Sequence, residues 1–178
     1  MQTRIEKLLL EATQGDITRQ QDMDAVVNAA NAQLLPGGGV AGAIHRAAGP
    51  KLAEACAPLA PISPGEAVIT PAFNLPNRYV IHCLGPVYGQ DRPEAQLLAQ
   101  CYRRAMVLAT EKGLESVAFP AISAGAFGYP LEAALRIAAE TLTTLGRSGE
   151  SVPRVRMVLF DESTRAVFER LVREVAGA

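Results

Sequence analysis

Two asparagines, three consecutive glycines and a histidine lie close together and are the residues of this chain best suited to chemistry. Asn28 and Asn31 follow a short apolar strand, Gly37–Gly39 come next, and His45 lies in the apolar segment beyond them. Glycine leaves backbone N–H groups uncovered and can take φ > 0, so successive N–H groups can converge on one point. The segment after the glycines has a helical pattern, and a helix start adds unpaired N–H groups and the positive end of its dipole. The stretch predicts an anion-binding loop, with a flexible glycine turn as the alternative because a glycine loop alone is a weak motif.

A second glycine loop, Ser123–Tyr129, also follows an apolar strand and precedes a helix. Parallel α/β sheets bind ligands at the carboxyl ends of their strands. If both loops lie at that edge, they can hold a diphosphate from two sides. The pair of loops is therefore a stronger signal than either loop alone.

Neither loop matches the common nucleotide-binding motifs. A Walker A loop needs Gly-Lys-Ser/Thr, whereas Gly39 is followed here by Val40 and Ala41. Gly37, Gly39 and Gly42 have the GxGxxG spacing, but no strand-borne acidic residue follows about 20 positions later. Both loops lack lysine, arginine and metal-binding carboxylates. We expect a diphosphate held by neutral backbone donors, with no metal, no catalytic magnesium and no cofactor.

The remaining elements alternate between strand-like and helix-like patterns, which predicts an α/β layered domain. Residues 4–12 are predicted as an edge strand, with a helix as the alternative, and 14–18 as a turn. The further predicted strands are 24–28, 66–70, 78–84, 116–122 and 155–160. The predicted helices are 40–48, 51–57, 93–112, 130–145 and 163–175.

Composition limits the classes of function. A net charge of -1 in 178 residues argues against a broad nucleic-acid or anionic-membrane surface. No apolar run approaches the roughly 20 residues of a membrane span, and the first ten residues do not resemble a signal peptide. Three dispersed cysteines, Cys56, Cys83 and Cys101, predict reduced, buried thiols in a cytoplasmic protein. With only two histidines, a zinc site is not expected.

Five motifs in order resemble those of the macrodomain family, the ADP-ribose-binding modules. They are Gly15-Asp-Ile-Thr18, Val27-Asn-Ala-Ala-Asn31, the run Gly37–Pro50, His82-Cys-Leu-Gly-Pro86 and the run Phe119–Gly128. The run Gly37–Pro50 is most similar to the MacroD-type branch. The resemblance implies one macrodomain over residues 1–178, a three-layer α/β/α sandwich with a mixed, mostly parallel sheet.

The resemblance also implies roles at a ligand site. Asp16 would accept a hydrogen bond from the adenine 6-amino group beside the Ile17 amide, and Asn31 would bind the distal ribose. The alternative for each is an ordinary turn or loop cap. Backbone N–H groups would bind the pyrophosphate, and the ring of Phe127 would pack on the distal ribose unless it only packs in the core. The full implied ligand-binding set is Asp16, Ile17, Asn31, Gly37, Gly38, Gly39, Val40, Ala41, Ser123, Ala124, Gly125, Ala126 and Phe127.

Three further polar residues have competing interpretations. His45 is a catalytic candidate together with Asn31 and Phe127, although a histidine on an apolar helix is more often a core residue. We expect His82, in a strand, to form core hydrogen bonds, and Asn28, near a strand end, to be structural.

The resemblance implies hydrolysis of ADP-ribosyl esters, with ADP-ribosylated Glu or Asp on proteins and O-acetyl-ADP-ribose as substrates. Many MacroD-type hydrolases carry an aspartate where this chain has Ala41, and alanine cannot act as a base. Viral macrodomains with a similar run are hydrolases nevertheless, so a substrate-assisted scheme remains open. The alternatives are a non-catalytic ADP-ribose reader and an adenine-rich nucleic-acid module, against which the near-neutral charge argues.

Overall fold

The computed structural model describes residues 1–177, which form seven strands and five α-helices. The strands are β1 Gln2–Ile5, β2 Leu8–Gln14, β3 Ala25–Ala29, β4 Ala67–Pro71, β5 Tyr79–Cys83, β6 Ser116–Phe119 and β7 Arg154–Leu159. The helices are α1 Gly39–Ala48, α2 Lys51–Cys56, α3 Glu94–Glu111, α4 Leu131–Ser148 and α5 Glu162–Ala176. Two 3-10 turns, Ile17–Arg19 and Ala57–Leu59, complete the regular structure.

The strands form one mixed sheet in the order β1-β2-β7-β6-β3-β5-β4. The five central strands are parallel, and the two edge strands β1 and β4 are antiparallel to their neighbours. The carboxyl ends of β2, β3, β6 and β7 therefore meet at one edge, where the predicted loops follow β3 and β6.

Alternating side chains of the central strands face two separate cores. Ala25 and Val27 of β3 belong to the core under α3, α4 and α5, whereas Val26 belongs to the core under α1 and α2. This pattern is expected for a strand that is buried on both faces. The three-layer α/β/α architecture with a mixed, mostly parallel sheet is confirmed.

The prediction of one edge strand over 4–12 was wrong. Two antiparallel strands, β1 and β2, form a hairpin there, and their pairing joins Ile5 to Leu8 across the turn. Glu6 occupies that turn with a φ of 53°. Glu6 and Lys7 are not typical turn residues, so nothing in the composition marked the break.

The strand predicted over 116–122 ends at Phe119, three residues early. Pro120 follows directly, and a proline has no N–H to contribute to the ladder. Residues 120–122 instead border the cavity at this edge of the sheet. Across residues 1–177, no helix combines the length and apolarity needed to cross a membrane.

Candidate ligand site

A cavity of about 750 Å³ opens at the carboxyl ends of the parallel strands. Both glycine loops line it, together with the segment after β2 and the end of β7. Every residue of the predicted ligand-binding set borders this cavity. The two loops therefore border one site, as their positions after β3 and β6 predicted.

The first glycine loop is packed tightly onto the start of α1. Gly38 precedes the helix in an extended conformation, and Gly39 begins it with a φ of 55°. A Cβ at Gly42 would collide with the carbonyl oxygen of Gly37, so only glycine allows this approach of helix and loop. The first turn of a helix has no intrahelical acceptors for its N–H groups, so unpaired backbone donors are available where α1 borders the cavity.

The second loop turns at Ser123, which has a φ of 66°. The Ser123 hydroxyl is buried and donates to the carbonyl oxygen of Pro86 at 2.8 Å. Gly85 lies against this hydroxyl, and a Cβ there would collide with it. The serine side chain thus fastens the loop to the segment after β5.

Asn31 is held by its own loop. Its Nδ2 donates to the carbonyl oxygen of Leu35 at 2.8 Å, and its Oδ1 accepts from the Leu35 N–H at 3.0 Å. The loop-cap interpretation of Asn31 therefore describes its contacts in the unliganded chain. Asn31 borders the cavity, and its amide has one further donor and one further lone pair.

Phe127 is half-buried and packs against the core under α1 and α2 while also bordering the cavity. Its carbonyl oxygen accepts from the N–H of Tyr88 at 2.9 Å, which joins the second loop to the segment after β5. Phe127 thus both packs on the core and borders the cavity.

Asp16 caps the 3-10 turn Ile17–Arg19. Its Oδ1 accepts from the backbone N–H and the hydroxyl of Thr18, at 2.9 and 2.7 Å. The Thr18 hydroxyl and N–H hold the pKa of this carboxyl below its usual range, so it is ionised at neutral pH. Its Oδ2 has only Arg19 nearby, at 3.9 Å, and the side chain is 54% exposed. An outward-facing acceptor therefore remains free at this end of the cavity.

The two histidines lie in the interior. His82 is fully buried and contacts Asn28 Nδ2 at 3.1 Å and Thr70 Oγ1 at 2.9 Å, which confirms the core roles expected for His82 and Asn28. His45 is also buried and is not among the residues that border the cavity. Neither ring nitrogen of His45 has a hydrogen-bond partner within the described chain, and burial lowers its pKa. The predicted catalytic role of His45 stays a prediction.

Cys56, Cys83 and Cys101 are free and buried, as expected.

Sequence reasoning missed several cavity residues, among them the exposed Phe160. This aromatic side chain is 78% exposed and follows directly after β7. The Gly15 N–H donates to Leu159 O at 2.9 Å, which sets Phe160 beside the Asp16 turn. An aromatic residue directly after a parallel strand could have suggested it. The other missed residues are Gly15, Ala29, Ala30, Ala43, Gly85, Pro120, Ala121, Ile122, Leu131, Val158 and Leu159.

The cavity is almost free of ionisable groups. Among its lining residues, all within the described range 1–177, Asp16 alone has an ionisable side chain. An anion here would be held by backbone N–H groups and helix dipole rather than by cationic side chains.

Residues 27–138 match the model of the Macro domain family, which is more than half of the chain. The chain belongs to this family, and the resemblance seen in its motifs is confirmed. A Klebsiella pneumoniae protein named O-acetyl-ADP-ribose deacetylase is 49% identical over 91% of this chain and 95% of its own length. A macro domain-containing protein of Lactiplantibacillus plantarum is also 49% identical, over 89% and 93%.

Solved macrodomains share the fold closely. The Oceanobacillus iheyensis macrodomain with ADP is 39% identical and has a TM-score of 0.95, covering 99% of this chain and 96% of its own. The Trypanosoma brucei macrodomain in complex with ADP-ribose is 39% identical with a TM-score of 0.85, covering 94% and 71%.

Proposed function

We propose that this protein binds ADP-ribose and hydrolyses ADP-ribosyl esters, releasing ADP-ribose. The observation that carries the proposal is one cavity bordered by both glycine loops and the start of α1, with Asp16 as the one ionisable side chain among its described lining residues. Relatives that cover nearly all of the chain are named O-acetyl-ADP-ribose deacetylase, and a solved neighbour holds ADP-ribose. The proposed substrates are O-acetyl-ADP-ribose and proteins mono-ADP-ribosylated on Glu or Asp.

The adenine is proposed to lie at the Asp16 end. Oδ2 of Asp16 would accept from the 6-amino group, since Oδ1 already binds Thr18 twice. The exposed ring of Phe160 is close to this turn and is suited to stacking on a base. The Ile17 N–H would donate to a ring nitrogen.

The diphosphate is proposed to lie between the loops. N–H groups of Gly37–Val40 would donate from one side, and those of Ser123, Gly125, Ala126 and Phe127 from the other. Ser123 would contribute through its backbone, because its hydroxyl is bound to Pro86. Ala41 and Ala124 would contribute shape and contact only.

The distal ribose, which carries the ester, is proposed to lie between Asn31 and Phe127. The free donor and lone pair of the Asn31 amide would bind its hydroxyls, and the Phe127 ring would cover one face. A water held near the distal ribose would cleave the ester, yielding ADP-ribose and a free carboxylic acid. With no side-chain base on this cavity wall, the bound α-phosphate would polarise the water, and the protein would supply position and electrostatic complementarity.

His45 enters the proposal only indirectly. It lies on α1, which begins at the end of the first glycine loop, and is buried, so we propose that it contributes to catalysis by positioning that helix.

The second candidate function is that of a reader that binds ADP-ribose without chemistry. Ala41 favours it, since the one ionisable side chain among the described cavity residues, Asp16, is assigned to the adenine end and not to the ester. Nucleic-acid binding has no such supporting observation. A cytoplasmic location and a single domain over the whole chain remain part of the proposal.

Steady-state rates on defined ADP-ribosyl linkages test the proposal. The panel consists of O-acetyl-ADP-ribose and proteins linked through Glu or Asp, through serine and through a nucleotide end. Turnover of the ester linkages is expected, with little or none of the serine ether. Tight ADP-ribose binding with no turnover of any linkage would establish the reader instead.

A further inference from the structure

The turn that carries Asp16 is held from behind by a chain of side chains that lies outside the cavity. Gln20, which follows the 3-10 turn, is 7% exposed and donates through Nε2 to the backbone carbonyl oxygen of Asp16 at 2.8 Å. Its Oε1 accepts from Arg156 Nη1, also at 2.8 Å. One amide thus joins the Asp16 turn to a side chain that is 136 residues away in sequence.

Arg156 is itself fixed in place. Its guanidinium makes two hydrogen bonds to the carboxylate of Asp22, at 2.8 and 2.7 Å, and lies 3.4 Å from Oε1 of Glu11. Glu11 and Arg156 are paired residues of β2 and β7, so both stand on the same face of the sheet. The side chain of Arg156 is 12% exposed, and bidentate pairing leaves a guanidinium little freedom.

Gln20 is held at its backbone as well. Asn77, a buried residue, donates through Nδ2 to the carbonyl oxygens of Gln20 and Met23, both at 2.7 Å. Gln20 is therefore held at both ends, because Asn77 binds its backbone and Arg156 binds its side-chain amide.

We propose that Gln20 is a positioning residue for adenine recognition. Its side-chain amide bridges the backbone carbonyl group of Asp16 and the guanidinium of Arg156, and this bridge sets the direction of the Asp16 carboxylate. The inference rests on the proposed function, in which Asp16 reads the adenine 6-amino group. Thr18 binds only Oδ1 of the Asp16 carboxylate, and a three-residue 3-10 turn has poor internal hydrogen bonds, so the turn alone leaves the position of its cap residue underdetermined. The bridge fixes the turn to Arg156, which lies on β7 of the sheet.

The bridge predicts an effect on base selectivity and not simply on stability. ADP-ribose and inosine diphosphate ribose differ only in the base, where hypoxanthine carries an oxygen in place of the 6-amino group and a hydrogen on N1 in place of a lone pair. The N1 difference is the same for every variant that is compared. A carboxylate directed at the 6-position prefers the amino group. The selectivity ratio, which is the Kd of the inosine compound divided by the Kd of ADP-ribose, therefore measures how well the Asp16 carboxylate is directed at that position.

Gln20→Glu is the direct test, because it keeps the size and the acceptor for Arg156 but removes the donor to Asp16 O. We expect its ADP-ribose Kd to rise about ten-fold, as for the loss of one effective hydrogen bond, while the inosine compound changes less than about two-fold. Arg156→Gln is expected to lower the selectivity ratio in the same way.

Arg154→Gln is the matched control. Arg154 binds the same two carboxylates, Glu11 and Asp22, but does not contact Gln20. Its loss perturbs the same charged cluster, and we expect the wild-type selectivity ratio. Melting temperatures of all variants distinguish an unfolded variant from a folded one in which the Asp16 carboxylate is misdirected.

The outcomes are distinct. The bridge is supported if Gln20→Glu and Arg156→Gln are folded and have lower selectivity ratios while Arg154→Gln keeps the wild-type ratio. A wild-type ratio in both test variants, or equal losses in all three, overturns it. If the wild-type chain binds ADP-ribose but does not prefer it over the inosine compound, the inference is also overturned. If the wild-type chain binds neither compound, the proposed function itself is wrong.

Discussion

The side-chain amide of Asn31 binds both the N–H and the carbonyl oxygen of Leu35, at 3.0 and 2.8 Å. This double contact closes the loop that leads from β3 into the three glycines, and Asn31 Nδ2 also lies close to Gly37. Asn31 therefore shapes the glycine loop even before any ligand is bound. The ribose contact that we propose for it would use the donor and the lone pair that Leu35 leaves free.

Asn31→Ala is expected to weaken ADP-ribose binding by about ten-fold and to lower kcat further, because the loop contact and the ribose contact are lost together. Isothermal titration with ADP-ribose and initial rates on O-acetyl-ADP-ribose measure the two effects. Asn31→Asp keeps an acceptor for the Leu35 N–H but removes the Nδ2 donor, so it should also bind weakly. Wild-type Kd and kcat in both variants would contradict the dual role.

Gly42→Ala is expected to destabilise the protein and to weaken ADP-ribose binding. Alanine in a helix interior normally stabilises, by up to about 1 kcal/mol, relative to glycine. Here the added Cβ would collide with the Gly37 carbonyl oxygen, which is backbone and must move. The expected net cost is about 1–3 kcal/mol in the free energy of unfolding, measured by urea denaturation.

Gly38→Ala and Gly38→Glu are the matched variants for Gly42→Ala. Gly38 has a φ of -87° and no atom within 4 Å of an added Cβ, so both should unfold like the wild-type chain. Gly38→Glu should nevertheless lose ADP-ribose binding, because it brings a negative charge to the proposed diphosphate position. A stable Gly42→Ala with wild-type affinity would contradict the packing argument.

Ala41→Asp tests whether a side-chain base improves the reaction. Ala41 borders the cavity in the first turn of α1, where the helix dipole favours a carboxylate. We expect kcat on ester substrates to rise about three- to ten-fold. Ala41→Asn, of nearly the same shape but uncharged, is the control. An unchanged rate in Ala41→Asp would indicate that the bound phosphate alone suffices.

His82 makes the stability of the fold dependent on pH. Burial lowers the pKa of His82 to about 3, whereas an unfolded histidine titrates near 6.5. Between these values the unfolded chain binds one proton more, so the free energy of unfolding falls as the pH drops from about 6.5 to about 3. Below about 3 this contribution levels off.

His82→Gln retains polar contacts to Asn28 and Thr70 but cannot titrate. Urea denaturation at pH 4 to 6 should show a smaller slope in the variant, by nearly one proton or about 1.4 kcal/mol per pH unit. Identical slopes in the two proteins would mean that His82 is not neutral in the native state.

Local patterns in the sequence predicted the parts of the fold that depend on local physics. Helix α3 follows from the spacing of Leu98, Cys101 and Ala105, all of which are buried. The position of both glycine loops at one sheet edge follows from their place after parallel strands. The β1–β2 turn was missed because Glu6 takes a positive φ without the usual turn residues.

The parts that escaped prediction depend on contacts between distant segments. In the sequence Gln20 is an ordinary polar residue, and only the folded structure shows its contact with Arg156, 136 residues away. Phe160 reads as the end of an apolar strand until the pairing of β2 with β7 sets it next to Asp16. No local periodicity records either relationship.

The most direct test of the account measures binding and turnover in the same protein sample. The wild-type chain and Gly38→Glu are each titrated with ADP-ribose and then incubated with O-acetyl-ADP-ribose, and free ADP-ribose is quantified. Binding and release are expected for the wild-type chain, and neither is expected for a Gly38→Glu variant that melts normally. Tight binding by the wild-type chain with no release above the enzyme-free blank would contradict hydrolysis.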